Sequence, residues 1–188
     1  MKFAKLILLF ILFQTFSGNA KAQVEDQSAT TYLNIEKYRQ LFWDSLPKPA
    51  SWTNDFAQVY STRERKSLDS IITDFEKETT MEICIVTLDT FCTSKERFED
   101  LTLHILDSWG VGKKGINNGI VICISPGYRK IRIDTGTGIE KYLTDAEIKY
   151  IIDQNFIPEF KNADFYKGTL EGLQALISKL NDKLKVSF

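Results

Sequence analysis

The stretch that decides the fold is GIVICISPGYRKIRIDT, residues 119–135. Its first part, 119–124, is an apolar run rich in branched side chains, which predicts a buried strand. The Ser-Pro-Gly sequence that follows is typical of a tight turn. Residues 130–135 then alternate isoleucine with charged side chains, which predicts a half-solvated or edge strand. Because a link this short cannot cross over a sheet, the second strand must return antiparallel beside the first.

The residues before this hairpin predict a strand–helix–strand unit. Residues 81–88 form another apolar run, ended by Asp89, and are typical of a buried strand. The Thr-Ser-Lys-Glu sequence at 93–96 has the form of a helix capping box, and the helix that it opens should end at Gly110. Two strands joined through a helix lie parallel with a right-handed crossover, so the sheet should be mixed.

Capping boxes predict two further helices. Ser61 and Glu64 precede an apolar stripe that reaches about residue 78, and Thr144 opens a helix that Pro158 should end. A last helix is expected over about 165–183. Together these elements predict an α/β fold, a three-layer α/β/α sandwich with a small mixed β-sheet flanked by helices.

The chain begins with the features of a secretory signal peptide. A basic start, an apolar run at 6–13 and an Ala-Lys-Ala site ending at Ala22 have the order of such a segment. The run is shorter than the roughly 20 apolar residues that a membrane-spanning helix needs. We therefore expect an exported protein, periplasmic or secreted, soluble and without a stable membrane anchor after cleavage. The expected organisation is a signal peptide at 1–22, a partly disordered leader segment at 23–50, an α/β domain at 51–183 and a C-terminal tail at 184–188.

Composition excludes several classes of protein. A net charge of −1 and a pI of about 5.9 argue against nucleic acid as a partner. Cys84, Cys92 and Cys123 are too few for a disulfide scaffold, although a Cys84–Cys123 bridge stays open. The G-x-G-x-x-G letters at 110–115 follow a predicted helix and precede a strand, the reverse of a dinucleotide fingerprint, so no nucleotide cofactor is expected.

The hairpin brings two polar loops that contain glycine to one end of the sheet. One loop enters the first strand at 115–119, the other leaves the second strand at 134–140, and Asp145 follows shortly after. Their side-chain oxygens are the kind that Ca²⁺ prefers, and their glycines permit close approach of a ligand. The sequence is equally consistent with plain turns and with an Asp145 that only favours the start of its helix.

Six short motifs over about residues 52–180 resemble those of the TPM domain family. They are WTNDFA at 52–57, STRER at 61–65, WGVGKKG at 109–115, NG at 118–119, RKIRI at 129–133 followed by GTGIE at 136–140, and LTD at 143–145. The resemblance implies an α/β/α sandwich and an exported protein with calcium-binding or acid phosphatase activity. It also points to Asp55, Glu140 and Asp145 as acidic positions of the family. Members commonly carry Asp where this chain has Asn117, and one carboxylate fewer lowers the expected affinity for Ca²⁺.

Two functions follow as hypotheses. The first, which the sequence favours, is an exported non-catalytic module that binds Ca²⁺ or another divalent cation and interacts with an envelope protein. Its candidate metal ligands are Asp55, Asn117, Asn118, Asp134, Glu140 and Asp145. The second is a metal-assisted acid phosphatase acting on a phosphorylated small molecule, a phosphomonoester, with Arg129 or Arg132 pairing with the phosphate. No catalytic residue is assigned, because the sole histidine, His104, has no legible nucleophile beside it.

Overall fold

The structure, a computed structural model, describes residues 30–186. The expected signal peptide and the first residues of the leader segment lie outside this range. The chain divides into two units between Leu41 and Phe42, and the sheet belongs to the second. Helix α1 covers residues 30–44, so the boundary between the units falls within it. Within residues 30–186, every helix is too short or too polar to span a lipid bilayer.

The second unit is built on a four-stranded mixed sheet. Its strands are β1 (Thr53–Asp55), β2 (Glu82–Thr87), β3 (Gly119–Ser125) and β4 (Lys130–Thr135), and its helices are α2 (Thr62–Thr79), α3 (Phe98–Trp109), α4 (Asp145–Ile151), α5 (Ile157–Lys161) and α6 (Phe165–Val186), with a π-helix at Ile152–Phe156. The strand order is β1-β2-β3-β4. β1, β2 and β3 are parallel and β4 is antiparallel to β3, which confirms the predicted crossover and hairpin. β1 was not predicted, because three residues are too few to show a period.

The sheet separates two hydrophobic cores, so the predicted three-layer sandwich is confirmed. Side chains of successive strand residues point to opposite faces. Ile120 and Ile122 therefore pack with α2, α4 and α6, whereas Val121 and Cys123 pack with α3. All seven residues of β3 are buried. Each fully buried isoleucine contributes about 1.5–3 kcal/mol, which makes this central strand a main source of stability.

Two of the three predicted capping boxes begin helices. Ser61 and Thr144 each accept the N–H of the glutamate three residues later, and that glutamate bonds back to the cap. The third prediction is wrong, because α3 begins at Phe98 and not near residue 94. The Arg97 N–H donates to the Ser94 hydroxyl, and the Tyr128 hydroxyl donates to the Thr93 carbonyl. The first helical hydrogen bond therefore forms only at the next turn.

The prediction that Pro158 ends a helix is also wrong. The backbone stays helical from α4 through the π-helix into α5, and Pro158 lies in the first turn of α5, where a missing N–H is tolerated. The π-helix coincides with a close packing contact. Phe156 is fully buried, and a Cβ added at Gly172 of α6 would lie 2.1 Å from its ring. The extra residue of a π-turn thus directs Phe156 against α6.

Candidate functional site

The six predicted ligands divide between the two ends of the sheet. Asp55 pairs with Thr87 at the carboxyl end of β2. Gly119, which directly follows Asn118, pairs with Glu82 at the amino end of the same strand. A strand of six residues spans about 20 Å. The structure therefore does not bring Asp55 together with the loops on either side of the hairpin.

Asp55 joins β1 to β2 and to the start of α2. Its Oδ1 accepts the Thr87 hydroxyl at 2.5 Å and the Val59 N–H at 3.1 Å. Its Oδ2 accepts the Tyr60 N–H at 3.0 Å. Both oxygens thus have partners inside the fold.

Asn118 is buried, with 4% of its surface exposed. Its Oδ1 accepts the Lys113 N–H at 2.8 Å, and its Nδ2 donates to the Thr80 carbonyl at 2.9 Å. Thr80 is the left-handed residue that ends α2. The amide of Asn118 therefore joins the end of α2 to the loop before β3, and it points into the protein.

The lysine in that loop, Lys113, is paired with two carboxylates. Its ammonium lies 2.6 Å from Glu76 and 2.8 Å from Glu82. Hydrogen bonds to these two carboxylates raise the pKa of Lys113 above its ordinary value. Glu82 also accepts the Gly112 N–H at 2.7 Å, so its carboxylate joins the Lys113 side chain to the backbone of the same loop.

Asp134 is buried on the α3 face of β4, with 7% exposed. Its two oxygens lie 2.8 and 3.0 Å from Arg132 Nε, and its Oδ2 also accepts a short hydrogen bond from the Thr102 hydroxyl. Arg132 extends this network to Glu99 at 3.3 Å. The network fastens the edge strand to α3 and occupies both the predicted ligand Asp134 and the predicted phosphate-binding Arg132.

The glycines of the two loops allow the loops to contact each other. A Cβ at Gly136 would lie 2.2 Å from the Asn117 carbonyl oxygen, and one at Gly138 would lie 2.1 Å from that of Ile116. The Gly138 N–H donates to the Asn117 carbonyl at 3.0 Å. The close approach that these glycines permit is therefore an internal one between neighbouring loops.

Three predicted ligands remain on the surface at this end: Asn117, Glu140 and Asp145. The Asn117 amide lies 3.4 Å from the Thr137 hydroxyl. Across residues 30–186, no cluster of three or more His, Cys, Asp or Glu side chains has the arrangement of a metal site. The six predicted ligands therefore do not form one cation site, and only Glu140 and Asp145 retain free carboxylates facing a common space.

That space is an open groove of about 910 Å³ beside β4. The outer edge of β4 forms one wall, and α4 with the π-helix and the start of α5 forms the other. A second pocket of about 490 Å³ continues the groove past the hairpin turn, where Lys161 and Phe160 line it. The sequence did not predict the groove, although the alternation in β4 indicated the edge strand that creates it.

The thiols and the imidazole are not arranged as nucleophile and base. Cys84, Cys92 and Cys123 are free and buried, so the bridge that the sequence left open is not formed. Burial raises the pKa of Cys84 to about 12 and that of Cys92 to about 11, and it raises the pKa of Cys123 well above its ordinary value. All three therefore stay protonated near neutral pH and are poor nucleophiles.

His104 holds the segment that leads into the sheet. Its ring stacks on Trp43 with 4.3 Å between centroids, and its Nε2 lies 3.0 Å from the Trp43 carbonyl oxygen. The Ser108 hydroxyl bonds its Nδ1 at 3.2 Å. Phe42, which precedes Trp43, is buried against Phe56. These aromatic residues pack on the α/β unit.

Comparisons with known proteins agree with this fold. A family model described as the TPM domain matches residues 53–179. The solution structure of the N-terminal domain of a protein from P. gingivalis is 28% identical, covers 71% of this chain and 84% of its own, and has a TM-score of 0.65. The BA42 protein from Bizionia argentinensis is 20% identical with a TM-score of 0.58, covering 68% of this chain and 86% of its own.

A third solved structure is the N-terminal domain of the cg2496 protein from Corynebacterium glutamicum. It is 19% identical, with a TM-score of 0.53, and covers 71% of this chain and 83% of its own. At these identities, the second and third structures speak for the fold alone. None of the curated proteins compared with the chain matches its sequence.

Proposed function

Because the chain belongs to the TPM domain family, whose model covers residues 53–179, we propose that it is a non-catalytic binding domain of an exported protein. It contacts a partner protein of the cell envelope through the groove beside β4. The observation that carries the proposal is this groove of about 910 Å³, which joins an uncovered strand edge to the free carboxylates of Glu140 and Asp145. Export rests on the basic, apolar and small-residue order of the first 22 residues.

The arrangement of charges argues against the alternative, an acid phosphatase. A phosphate clamp needs a cation-holding carboxylate and an arginine within reach of the same group. Arg129 precedes β4 and Glu140 follows it, so about 20 Å of strand separates them. Arg132 is already paired with Asp134. These positions fit separate contacts along an elongated ligand better than a joint contact with one phosphate.

The test of the binding function is site-specific photo-crosslinking in the cell that exports the protein. A photoreactive residue at Lys149, exposed on the α4 wall, should capture a defined partner, and one at exposed Lys66 on α2 should not. Equal adducts from both positions, or none from Lys149, would contradict the proposal. So would turnover of a generic phosphomonoester by the purified protein that disappears in Glu140→Gln.

Binding of a divalent cation remains part of the proposal in a weaker form than the sequence suggested. Glu140 and Asp145 line the same groove and make no ion pair within residues 30–186. Two carboxylates completed by water give low affinity, and we expect a Kd for Ca²⁺ of about 1 mM or weaker. Isothermal titration should show the heat of Ca²⁺ binding in the wild type and in Asp55→Asn, but not in Glu140→Gln. Micromolar binding that requires Asp55 would contradict this assignment.

A further inference from the structure

The outer edge of β4 carries unpaired backbone groups. The Gly136 N–H donates to the Gly119 carbonyl at 2.8 Å, which fixes the side of the strand that faces β3. N–H and C=O groups of successive residues in an antiparallel strand point alternately to the two sides. Those of Ile131, Ile133 and Thr135 therefore point away from β3, and they have no backbone partner among the described residues. Such an edge is a template for another strand.

The groove beside this edge has an apolar wall. Ile148, Ile152 and Ile157 line it from the helical side, and Phe160 continues the wall in the adjoining pocket. Side chains of an added strand would point alternately to this wall and to the side of Lys130 and Arg132. A segment that alternates apolar and polar residues fits this environment.

The two ends of the groove carry opposite charges. At the start of β4, Arg129 and Lys161 are exposed and make no ion pair within residues 30–186. Past the end of β4, Glu140 and Asp145 are exposed and likewise unpaired there. A strand antiparallel to β4 places its carboxyl end beside the two basic residues and its amino end beside the two acidic ones. For a strand in this direction, charge complementarity therefore selects basic residues at the amino end and acidic residues at the carboxyl end.

We propose that the groove receives an extended segment of the partner protein, which pairs antiparallel with β4 as a fifth strand of the sheet. The proposal rests on the proposed binding function and names the kind of partner. The segment has about six residues, to match the six of β4, alternates apolar and polar side chains, and carries basic residues at its amino end and acidic residues at its carboxyl end.

A pair of synthetic peptides tests the direction and the charges. The probe has two lysines, then alternating valine and threonine, then two aspartates with a free carboxylate; its control has the lysines and aspartates exchanged. We expect the probe to bind the purified protein at least about tenfold more tightly in fluorescence anisotropy. Amide shifts in the NMR spectrum should centre on Ile131, Ile133 and Thr135. Equal binding of the two peptides, or no shifts along β4, would overturn the proposal.

Charge reversal in the protein gives an independent check. Lys161→Glu, at an exposed position, should weaken binding of the probe and strengthen binding of the control peptide, whereas Lys66→Glu on α2 should change neither. Sedimentation of the unliganded protein tests whether a second copy of this chain occupies the groove instead. Self-association through β4 that blocks both peptides would also overturn the proposal. If Lys149 still captures a partner whose binding ignores Lys161→Glu, the binding function stands and the added strand does not. If Lys149 captures nothing, the binding function itself fails.

Discussion

At the scale of the residue, two adjacent asparagines differ in exposure and role. Asn117 is exposed with a left-handed backbone, φ 53°, whereas Asn118 is buried with its amide oxygen and nitrogen both bonded. A buried polar group needs partners inside the protein, and once it has them it is not available to a ligand. The side-chain oxygens that suggest a cation site in the sequence are thus largely the ones whose hydrogen bonds hold the loops in place.

The same substitution at these two neighbours should have very different effects. In Asn118→Asp, a carboxylate replaces the amide that donates to the Thr80 carbonyl, and a charge is buried. We expect the free energy of unfolding to fall by about 2 kcal/mol or more. Asn117→Asp, on the surface, should change it by less than about 0.5 kcal/mol. Urea unfolding followed by circular dichroism measures both, and equal midpoints would show that Asn118 does not support the loops.

The sequence could identify these polar residues but not their burial. Asn118 and Asp134 can be buried because Thr80 and Thr102 supply hydrogen-bond partners for them. Both partners are distant in sequence. No local pattern reveals such partners. The glycines illustrate the same limit, since the residue type predicts close approach without naming what approaches, and here it is the Asn117 carbonyl.

At the scale of the element, local chemistry predicts a helix start when nothing competes for its hydrogen bonds. The capping boxes at Ser61 and Thr144 form as predicted, whereas the one expected at Thr93 does not form, and the Arg97 N–H bonds the Ser94 hydroxyl instead. The π-helix was beyond prediction for a related reason. It depends on how Phe156 fits against Gly172, a contact between elements.

Glu147 connects the start of α4 to α6 and makes stability depend on pH. Hydrogen bonds from Lys179, the Thr144 backbone and Lys183 lower the pKa of Glu147 to about 2. Its folded pKa therefore lies below the unfolded value of about 4.3, so the stabilisation is present above pH 4.3 and is lost as the pH falls towards 2. Glu147→Gln should cost up to about 1 kcal/mol at pH 7, since the side chain is 25% exposed.

Unfolding in urea from pH 7 down to pH 2.5 checks this dependence. The difference between the wild type and Glu147→Gln should shrink steadily below pH 4.3. The matched change Glu78→Gln, in the exposed last turn of α2, should not destabilise the protein at any pH, because a carboxylate near a helix C-terminus is unfavourable. A difference that stays constant with pH would mean that the charge of Glu147 contributes nothing.

At the scale of the whole molecule, topology came from the sequence more readily than the site did. The short link after Ser125 dictated the antiparallel hairpin, and the helix before β3 dictated the crossover. Yet the hairpin alone could not place Asp55. Its position at the far end of the sheet follows from the three residues of β1, whose parallel pairing with β2 no pattern predicted.

The packing of residues 42–46 on α3 decides how far the folded α/β unit extends. Trp43 stacks on His104, and the Arg97 guanidinium lies 4.3 Å from the Trp43 ring. Trp43→Ala removes both contacts, and we expect the free energy of unfolding to fall by about 1–2 kcal/mol. Amides of residues 42–46 should then exchange hydrogen faster, because the segment loses its anchor while the sheet keeps its own hydrogen bonds. Trp43→Phe, which keeps an aromatic face for His104, should retain most of the protection. If exchange in 42–46 is the same in Trp43→Ala and the wild type, the stack does not hold the segment, and the folded unit begins nearer to β1.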